Sequence, residues 1–353
     1  MSEEQPLQNR LRARRVARGW SQEEVAARAG ISRAGVSAIE NGRLVPSAAT
    51  ALGLAALFGC RVEDLFFLHA EQAGAGSWAW PPECEPCRYW HATVRAKKLL
   101  YPVEPTGLGT VPHDGTLERA IVREHPGADP QQTLVIACCD PAVRLLADEL
   151  QRSKGIRLIA IQRPSRAALS LLARGLIHAA GVHLGGQGPE SGNRAAARNA
   201  LQRGFALLRV ARWQEGLAAA PALRVRSIHA ALQSRIRWVG REPGSAVREL
   251  LDELLADRAP PRRVAYSHRG VGEAVRSSWA DVGVCLQLVS DEAGLDFVSL
   301  RQEDYDLCYP LDCEGDPRIQ ALVEAVRSSS YRRTLADLPG YDTAATGDIE
   351  RVV

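Results

Sequence analysis

The chain has 353 residues, of which 46% are apolar and 24% charged, with a formal net charge of +3. That length suits two or three domains, and the apolar share is ample for packed cores, which excludes a disordered or low-complexity chain. No run of about 18 apolar residues occurs, and the opening MSEEQPLQNRLRARR has no apolar centre. Neither a membrane span nor a signal peptide is therefore expected, and a cytoplasmic location with reduced cysteines follows. The first clear helix opens at Ser21, with Glu24 three positions on as a capping box. Val25 and Ala26 fall on one face, and Gly30 suits the left-handed position at a helix end. Ile31 reads as the buried residue of a turn. Ser32 caps a second helix, which carries Val36 and Ile39 inward and stops at Asn41-Gly42. Gly35 inside that helix costs roughly 1 kcal/mol of propensity relative to Ala and suggests close approach to a backbone. Between Leu7 and Arg43 stand eight Arg and three Glu, a basic balance suited to neutralising phosphates.

The run SQEEVAARAGISRAGVSAIENGR, Ser21–Arg43, resembles the helix-turn-helix of phage-repressor regulators of the Cro/CI-like, XRE kind. In that resemblance Leu7–Arg18 is the first helix, Ser47–Phe58 the fourth, and Val62-Glu63-Asp64-Leu65-Phe66 the closing segment. It implies an all-α head that binds double-stranded DNA and lays its second motif helix across the major groove. By position Ser32, Arg33, Ala34 and Ser37 would read base edges, with Arg33 suited to a bidentate contact with guanine. Gln22 and Arg43 would sit at phosphates and set register, and Asn41 closes the expected DNA-contacting set. The plainer alternative is a small helical bundle used for protein contacts, with Arg10, Arg12, Arg14 and Arg15 an ordinary solvated face.

The rest of the chain predicts two further parts. Residues 1–70 are expected to form the helix-turn-helix domain, residues 71–115 a linker and small β connector, and residues 116–347 an α/β sensing domain. Glu71–Ser77 reads as the linker. Strand-like runs lie around Tyr89–Val94 and Lys98–Val103, with turns at Thr106-Gly107 and His113-Asp114-Gly115. Then come a buried strand at Thr133–Ala137 and a helix at Ala142–Gln151 opened by Asp140-Pro141. A strand at Ile156–Ile161, a helix at Ser165–Arg174 and strands at Ile177–Val182 and Phe205–Ala211 follow. After a break at Gln214–Pro221 the alternation resumes. It runs through Ile236–Val239, a helix after Gly244-Ser245, Val264–Ser267, a helix from Val271, and Val282–Leu286. The chain returns through Leu295–Leu300 and Asp306–Tyr309 and ends in helices near Ile319–Val326 and Tyr331–Leu335. Such alternation predicts parallel sheets with helices on both faces.

Five runs in this part are similar to the two-lobed, type II periplasmic-binding-protein domain that bacterial regulators borrow, in the group related to molybdate-binding proteins. They are Cys139-Asp140-Pro141-Ala142, Gly181-Val182-His183-Leu184, Arg241-Glu242-Pro243-Gly244-Ser245, Leu295-Asp296-Phe297-Val298, and Leu338-Pro339-Gly340-Tyr341-Asp342 with Thr346-Gly347. The resemblance implies an α/β two-lobed fold and a cleft for a small anion, molybdate or tungstate. The group's Gly-Ser-Gly-Thr-Arg run is here Gly244-Ser245-Ala246-Val247-Arg248, without its second hydroxyl. Ligands of open α/β sheets sit beyond the strand ends and at helix N-termini. That places the loops Cys138–Pro141, His183–Gln187, Glu242–Ser245 and Ser267–Gly270 at the cleft. The expected ligand set is Asp140, His183, Gly244, Ser245, Arg248 and Tyr305. Plainer roles stand beside it, as helix caps for Ser245 and Asp140 and as a satisfied strand-end residue for His183.

Cys84-Glu-Pro-Cys87 with His91 has the spacing of a zinc half-site, or of a redox pair, while Cys60 and Cys285 read as buried apolar fillers. Cys138, His183 and Asp140 could be drawn as a catalytic triad, but no nucleophile elbow, Walker run or GxGxxG accompanies them, so an enzyme is not expected. The combined reading is a ligand-responsive regulator that acts on DNA as a homodimer, with an oxyanion, another small metabolite, or a zinc or redox signal at Cys84/Cys87 as its input.

Overall fold

The computed structural model describes residues 7–68, 76–104, 111–185, 192–256 and 258–353. Residues 71–75 of the expected linker, the Thr106-Gly107 turn and Gln187 of the expected cleft loop lie outside the described residues. The chain divides into two compact units. One holds residues 1–77 with 81–87 and 118–122, the other residues 78–80, 88–117 and 123–353.

The first unit is a bundle of short helices: α1 (Leu11–Ala17), α2 (Gln22–Ala29), α3 (Arg33–Glu40), α4 (Ala48–Phe58) and α5 (Val62–Leu65). A two-stranded ribbon, β1 (Leu7–Asn9) with β2 (Phe66–Leu68), ties its ends together. Leu7–Asn9 is therefore a strand and not the start of the first helix. Asn9 Oδ1 accepts the Leu11 N–H at 3.2 Å, and the helix begins at Leu11, four residues later than the resemblance implies. Leu11, Val25, Val36, Ile39, Leu54 and Leu65 close the core. The capping box is present. Ser21 Oγ accepts the Glu24 N–H, and Glu24 accepts the Ser21 N–H at 2.6 Å. Gly30 takes φ +66°, the left-handed conformation that lets the chain turn sharply into α3.

A five-stranded sheet, most of whose residues belong to the second unit, has the order β3-β5-β4-β6-β7, from β3 (Ser77–Trp78), β4 (Cys87–Val94), β5 (Lys97–Pro102), β6 (Gly115–Glu118) and β7 (Ile121–Glu124). There follow β8 (Thr133–Cys138), α6 (Val143–Lys154), β9 (Arg157–Gln162), α7 (Ser165–Ala173), β10 (Ala179–Val182) and α8 (Gly192–Leu201). Then come β11 (Phe205–Ala219), α9 (Ile228–Gln233), β12 (Trp238–Arg241), α10 (Ala246–Leu255), β13 (Arg263–Ala265), α11 (His268–Arg276), β14 (Val282–Leu286) and α12 (Gln287–Glu292). The chain closes with β15 (Asp296–Pro310), α13 (Pro317–Arg327), α14 (Ser329–Ala336), β16 (Tyr341–Asp342) and β17 (Ile349–Val352). Pro141 lies ahead of α6, not in its first turn.

These strands form one mixed sheet in the order β13-β12-β14-β11-β15-β10-β8-β9. The pairings β8–β9, β8–β10, β12–β13 and β12–β14 are parallel, as the alternation predicts. The centre is not. β11 and β15 run antiparallel over fifteen residues each, from Phe205↔Pro310 to Ala219↔Asp296, and join the two lobes into a single curled sheet. Most of the expected break at Gln214–Pro221, as far as Ala219, and the expected gap between 300 and 306 are strand. Charged residues that read as loop are paired across or along this ribbon. Arg209 meets Asp304 at 2.8 Å and Asp306 at 2.6 Å, Arg212 meets Asp304 at 2.9 Å, and Arg301 meets Glu215 at 2.8 Å. Opposed charges on facing strand positions stabilise the pairing that single-sequence polarity argues against.

His178 joins β4 to the first lobe. Its Nδ1 accepts the Val135 N–H at 2.9 Å and its Nε2 donates to the Thr93 carbonyl at 3.0 Å, a carbonyl that also takes Arg318. Burial, then the Arg318 charge, push its pKa from the ordinary 6.5 down to about 4. A proton on Nδ1 would face an N–H instead of accepting it. The folded state therefore holds neutral His178 while the unfolded chain protonates, so stability is full above pH 6.5 and falls as pH drops toward 4. His178→Gln, which cannot titrate, is expected to be less stable at pH 7 but to give a flatter stability profile over that window, measured by urea unfolding at stepped pH.

Candidate functional site

In the first unit the relation between α2 and α3 is held by a buried ion pair. Glu40, at the end of α3, receives Arg15 Nε at 2.6 Å and Arg15 Nη2 at 3.1 Å from α1, and Gln22 Nε2 at 2.8 Å from the first turn of α2. Burial opposes the Glu40 charge, but Arg15 and Gln22 outweigh it and lower its pKa. Gln22 is thereby engaged inward, where phosphate contact was expected of it. Ser32, Arg33 and Ala34 are exposed along the start of α3, as are Asn41 and Arg43 beyond its end, and Ser37 is half-buried. Arg33 keeps 66% of its side chain in solvent, 3.7 Å from Glu23. Asn41 Nδ2 donates to the Ser37 carbonyl at 2.7 Å. Gly35 has a local reason. A Cβ there would lie 3.2 Å from Ser32 Oγ, the hydroxyl that accepts the Gly35 N–H at 3.0 Å.

The second unit gathers polar groups where its lobes meet. A cavity of about 120 Å³ is lined from one lobe by Cys138, Cys139, Asp140 and Gln162, and from the other by Ser267, His268 and Arg269. Behind it lies a buried cluster. His183, just past β10, takes a 2.9 Å contact from Cys139 Sγ to its Nε2, and its Nδ1 lies 2.7 Å from Glu303 Oε2. Ser165 Oγ accepts the His183 N–H at 3.1 Å and sets its backbone. Gly181 lets β10 come this close, since a Cβ there would fall 2.5 Å from Cys138 Cβ. Beneath the histidine, Trp213 stacks on Tyr305 with centroids 4.4 Å apart and planes at 9°.

The charges are strongly shaped by burial. Burial opposes charge on His183, yet Cys139 and Glu303 raise its pKa well above the ordinary value. Burial, then Arg241 and His183, hold His268 well below. Glu215 is pushed up to about 7 by burial and then by Glu303, and Asp140 to about 6 by burial. Several buried atoms here have no hydrogen-bond partner: both ring nitrogens of His268, Trp213 Nε1, Arg241 Nη1 and Glu215 Oε1. Each such atom costs about 1–3 kcal/mol when left unpaired, and native interiors leave few of them.

Of the predicted ligand set, Asp140 lines the cavity and His183 lies at the heart of the cluster. Asp140 Oδ1 accepts the Ala142 N–H at 2.9 Å and the Tyr341 hydroxyl at 2.8 Å, so it braces a loop. Gly244 takes φ +84° in the turn before α10. Ser245 is a helix cap, the plainer of the two roles weighed for it. Its hydroxyl donates to the Glu242 carbonyl at 3.0 Å and accepts the Arg248 N–H at 3.2 Å, which occupies it. Arg248 pairs with Asp252 at 2.7 Å and does not line the cavity. Tyr305 is a buried platform for Trp213. The zinc alternative rests on Cys84, Cys87 and His91. Cys84 is exposed, and buried His91 has its Nε2 3.1 Å from the Ala128 carbonyl oxygen. Among the described residues the donors close enough to hold one ion are instead Cys139, His183 and His268, and His183, Glu215 and Glu303. Cys139 and His268 sat inside loops already assigned to the cleft. Glu215 and Glu303 gave no signal, because strand charges look solvated until the partner strand is known, and Arg241 stood only within one of the five quoted runs.

The description "PBP superfamily domain" matches residues 147–327, and "Helix-turn-helix" matches residues 11–65. The chain is 31% identical over 121 residues to the uncharacterized protein YvgK of Bacillus subtilis, across 32% of this chain and 39% of that one, so it spans well under half of that relative. It is 37% identical over 65 residues to the HTH-type transcriptional regulator YgzD of the same organism, across 18% of this chain and 98% of YgzD. An ABC-type phosphate transport receptor from Vibrio cholerae is similar at a TM-score of 0.43 and 15% identity, over 60% of this chain and 99% of that one. Among the described residues no helix is long and apolar enough to cross a membrane.

If Ser245 is a cap and no more, Ser245→Ala is expected to lower the stability of the second unit by about 1 kcal/mol, read as a shift in urea midpoint at constant slope.

Proposed function

Since this chain belongs to the PBP superfamily and carries a helix-turn-helix domain of the HTH-type regulator kind, we propose that it is a transcription regulator whose operator affinity responds to a small ligand held between its lobes. The observation that carries the reading is the set of unpartnered buried polar atoms at the lobe junction, in a chain that also bears a capped helix-turn-helix. A ligand touching Cys139 and Asp140 on one side and His268 on the other stabilises the closed arrangement of the lobes in proportion to its preference for it. Binding at the cleft and binding to DNA then change each other's affinity by the same factor. A homodimer reading two half-sites about one helical turn apart is the geometry in which such a change is felt.

On DNA, α3 enters the major groove, with Arg33 at a guanine and Ser32, Ala34 and Ser37 along the base edges, while Asn41 and Arg43 face the backbone. The effector implied by the sequence motifs is an oxyanion, molybdate or tungstate. Arg241 Nη1 and Trp213 Nε1 are buried donors available to it. Glu215 and Glu303 stand in the same cluster and disfavour a second negative charge there.

Arg33→Ala is expected to weaken operator binding by roughly 1–3 kcal/mol and to relax preference at one base pair, measured by gel shift across single-base operator variants. Equal affinity for all of them removes Arg33 from readout. For the cleft, micromolar molybdate or tungstate is expected to raise the melting temperature if the effector is an oxyanion. No shift by either anion removes that chemistry and leaves the regulator reading to its own test on DNA.

A further inference from the structure

We infer that the lobe junction holds a thiophilic divalent transition-metal ion of the zinc class, bound by Cys139, His183 and His268 and bridging the two lobes. Cys139 Sγ and one ring nitrogen from each histidine all lie within 4.8 Å of one another, and all three residues are buried. Thiolate and imidazole ligands in this number suit a tetrahedral ion that keeps one position open. His183 is prepared as a ligand. Glu303 holds its Nδ1 at 2.7 Å, which fixes the ring and turns Nε2 toward Cys139. A carboxylate behind a histidine is the outer arrangement that orients metal-binding imidazoles.

His268 is the second observation. It is 1% exposed, and neither ring nitrogen has a hydrogen-bond partner. A Cys139–His183–Glu303 relay for nucleophilic chemistry would use the same first three groups but would leave His268 unexplained. An ion explains all four residues. Cys139 and His183 stand at the ends of β8 and β10, while His268 opens α11 of the other lobe. Binding therefore ties the lobes together across the β11–β15 ribbon. In its consequence for control this inference rests on the regulator reading above. The binding itself does not.

The test is Co(II) titration of the full chain carrying Cys84→Ser and Cys87→Ser, so that the surface thiol pair cannot contribute. The expected result is one equivalent bound, with a thiolate-to-cobalt charge-transfer band and the intense visible bands of tetrahedral Co(II), both displaced by Zn(II). Cys139→Ser and His268→Gln on that background are each expected to weaken binding at least ~100-fold, given that even an outer partner of a ligand contributes 10–100-fold. Absence of the charge-transfer band, or bands that persist in both variants, overturns the site. Should either variant fail to fold, X-ray absorption of the zinc-loaded Cys84→Ser/Cys87→Ser chain decides. One sulfur with imidazole neighbours supports the site, and oxygen and nitrogen neighbours alone overturn it. Operator gel shifts with Zn(II) and with chelator test the regulatory part. Unchanged affinity despite bound metal overturns the effector role, whereas failure to bind DNA in either state overturns the regulator reading and leaves the metal site standing.

Discussion

The second unit depends on the antiparallel pairing of residues 205–219 with 296–310. In the sheet's main order three strands lie on the β13 side of this ribbon and three on the β9 side, while β16 and β17 pair with β11 itself. Because both lobes share these two strands, the ribbon is the one part of the unit that belongs to neither. It delivers Trp213, Glu215, Glu303 and Tyr305 to the floor beneath the lobe junction. A residue on such a floor is fixed by the sheet register, so its position relative to the loops above is set by hydrogen bonding and does not rely on loop conformation.

The ribbon is held by buried charge to an unusual degree. Asp304, Asp306, Glu215 and Glu303 are all buried, and each has an arginine or a histidine against it. Isolated ions in such places would be expelled or neutralised, and pairs retain their charge only where geometry satisfies both partners. Removing one partner would leave the other as a buried, uncompensated ion, which costs far more than the pair contributes. The same device appears in the first unit, where Glu40 joins Arg15 and Gln22 and sets the angle between the two motif helices. In both units a carboxylate fixes relative orientation, while apolar contacts supply most of the cohesion.

At the lobe junction this logic is left incomplete. Elsewhere in the unit a few single atoms such as the Tyr331 hydroxyl stand alone, but many buried polar groups find partners, as Asn193 does on Leu184 and Asp306, and Arg157 on Asp114. Around His268, Arg241 and Trp213 they do not. The lobe junction is where several such atoms gather.

The first unit was legible almost residue by residue, because its determinants are local. Ser21, Glu24, Gly30 and Ser32 act within one helical turn of themselves, and the apolar positions of α2, α3 and α4 recur at helical spacing. The parallel strands and helices of the lobes were legible for the same reason, through apolar runs bounded by turn residues. Local sequence also located the cleft loops that contain Cys139, His183 and His268. Only the tertiary structure decided that residues 212–219 and 301–305 are strand and that Glu303 stands behind His183. Those outcomes depend on partners about 80 to 120 positions away, and a charged residue shows its role only once the opposite charge has been brought against it.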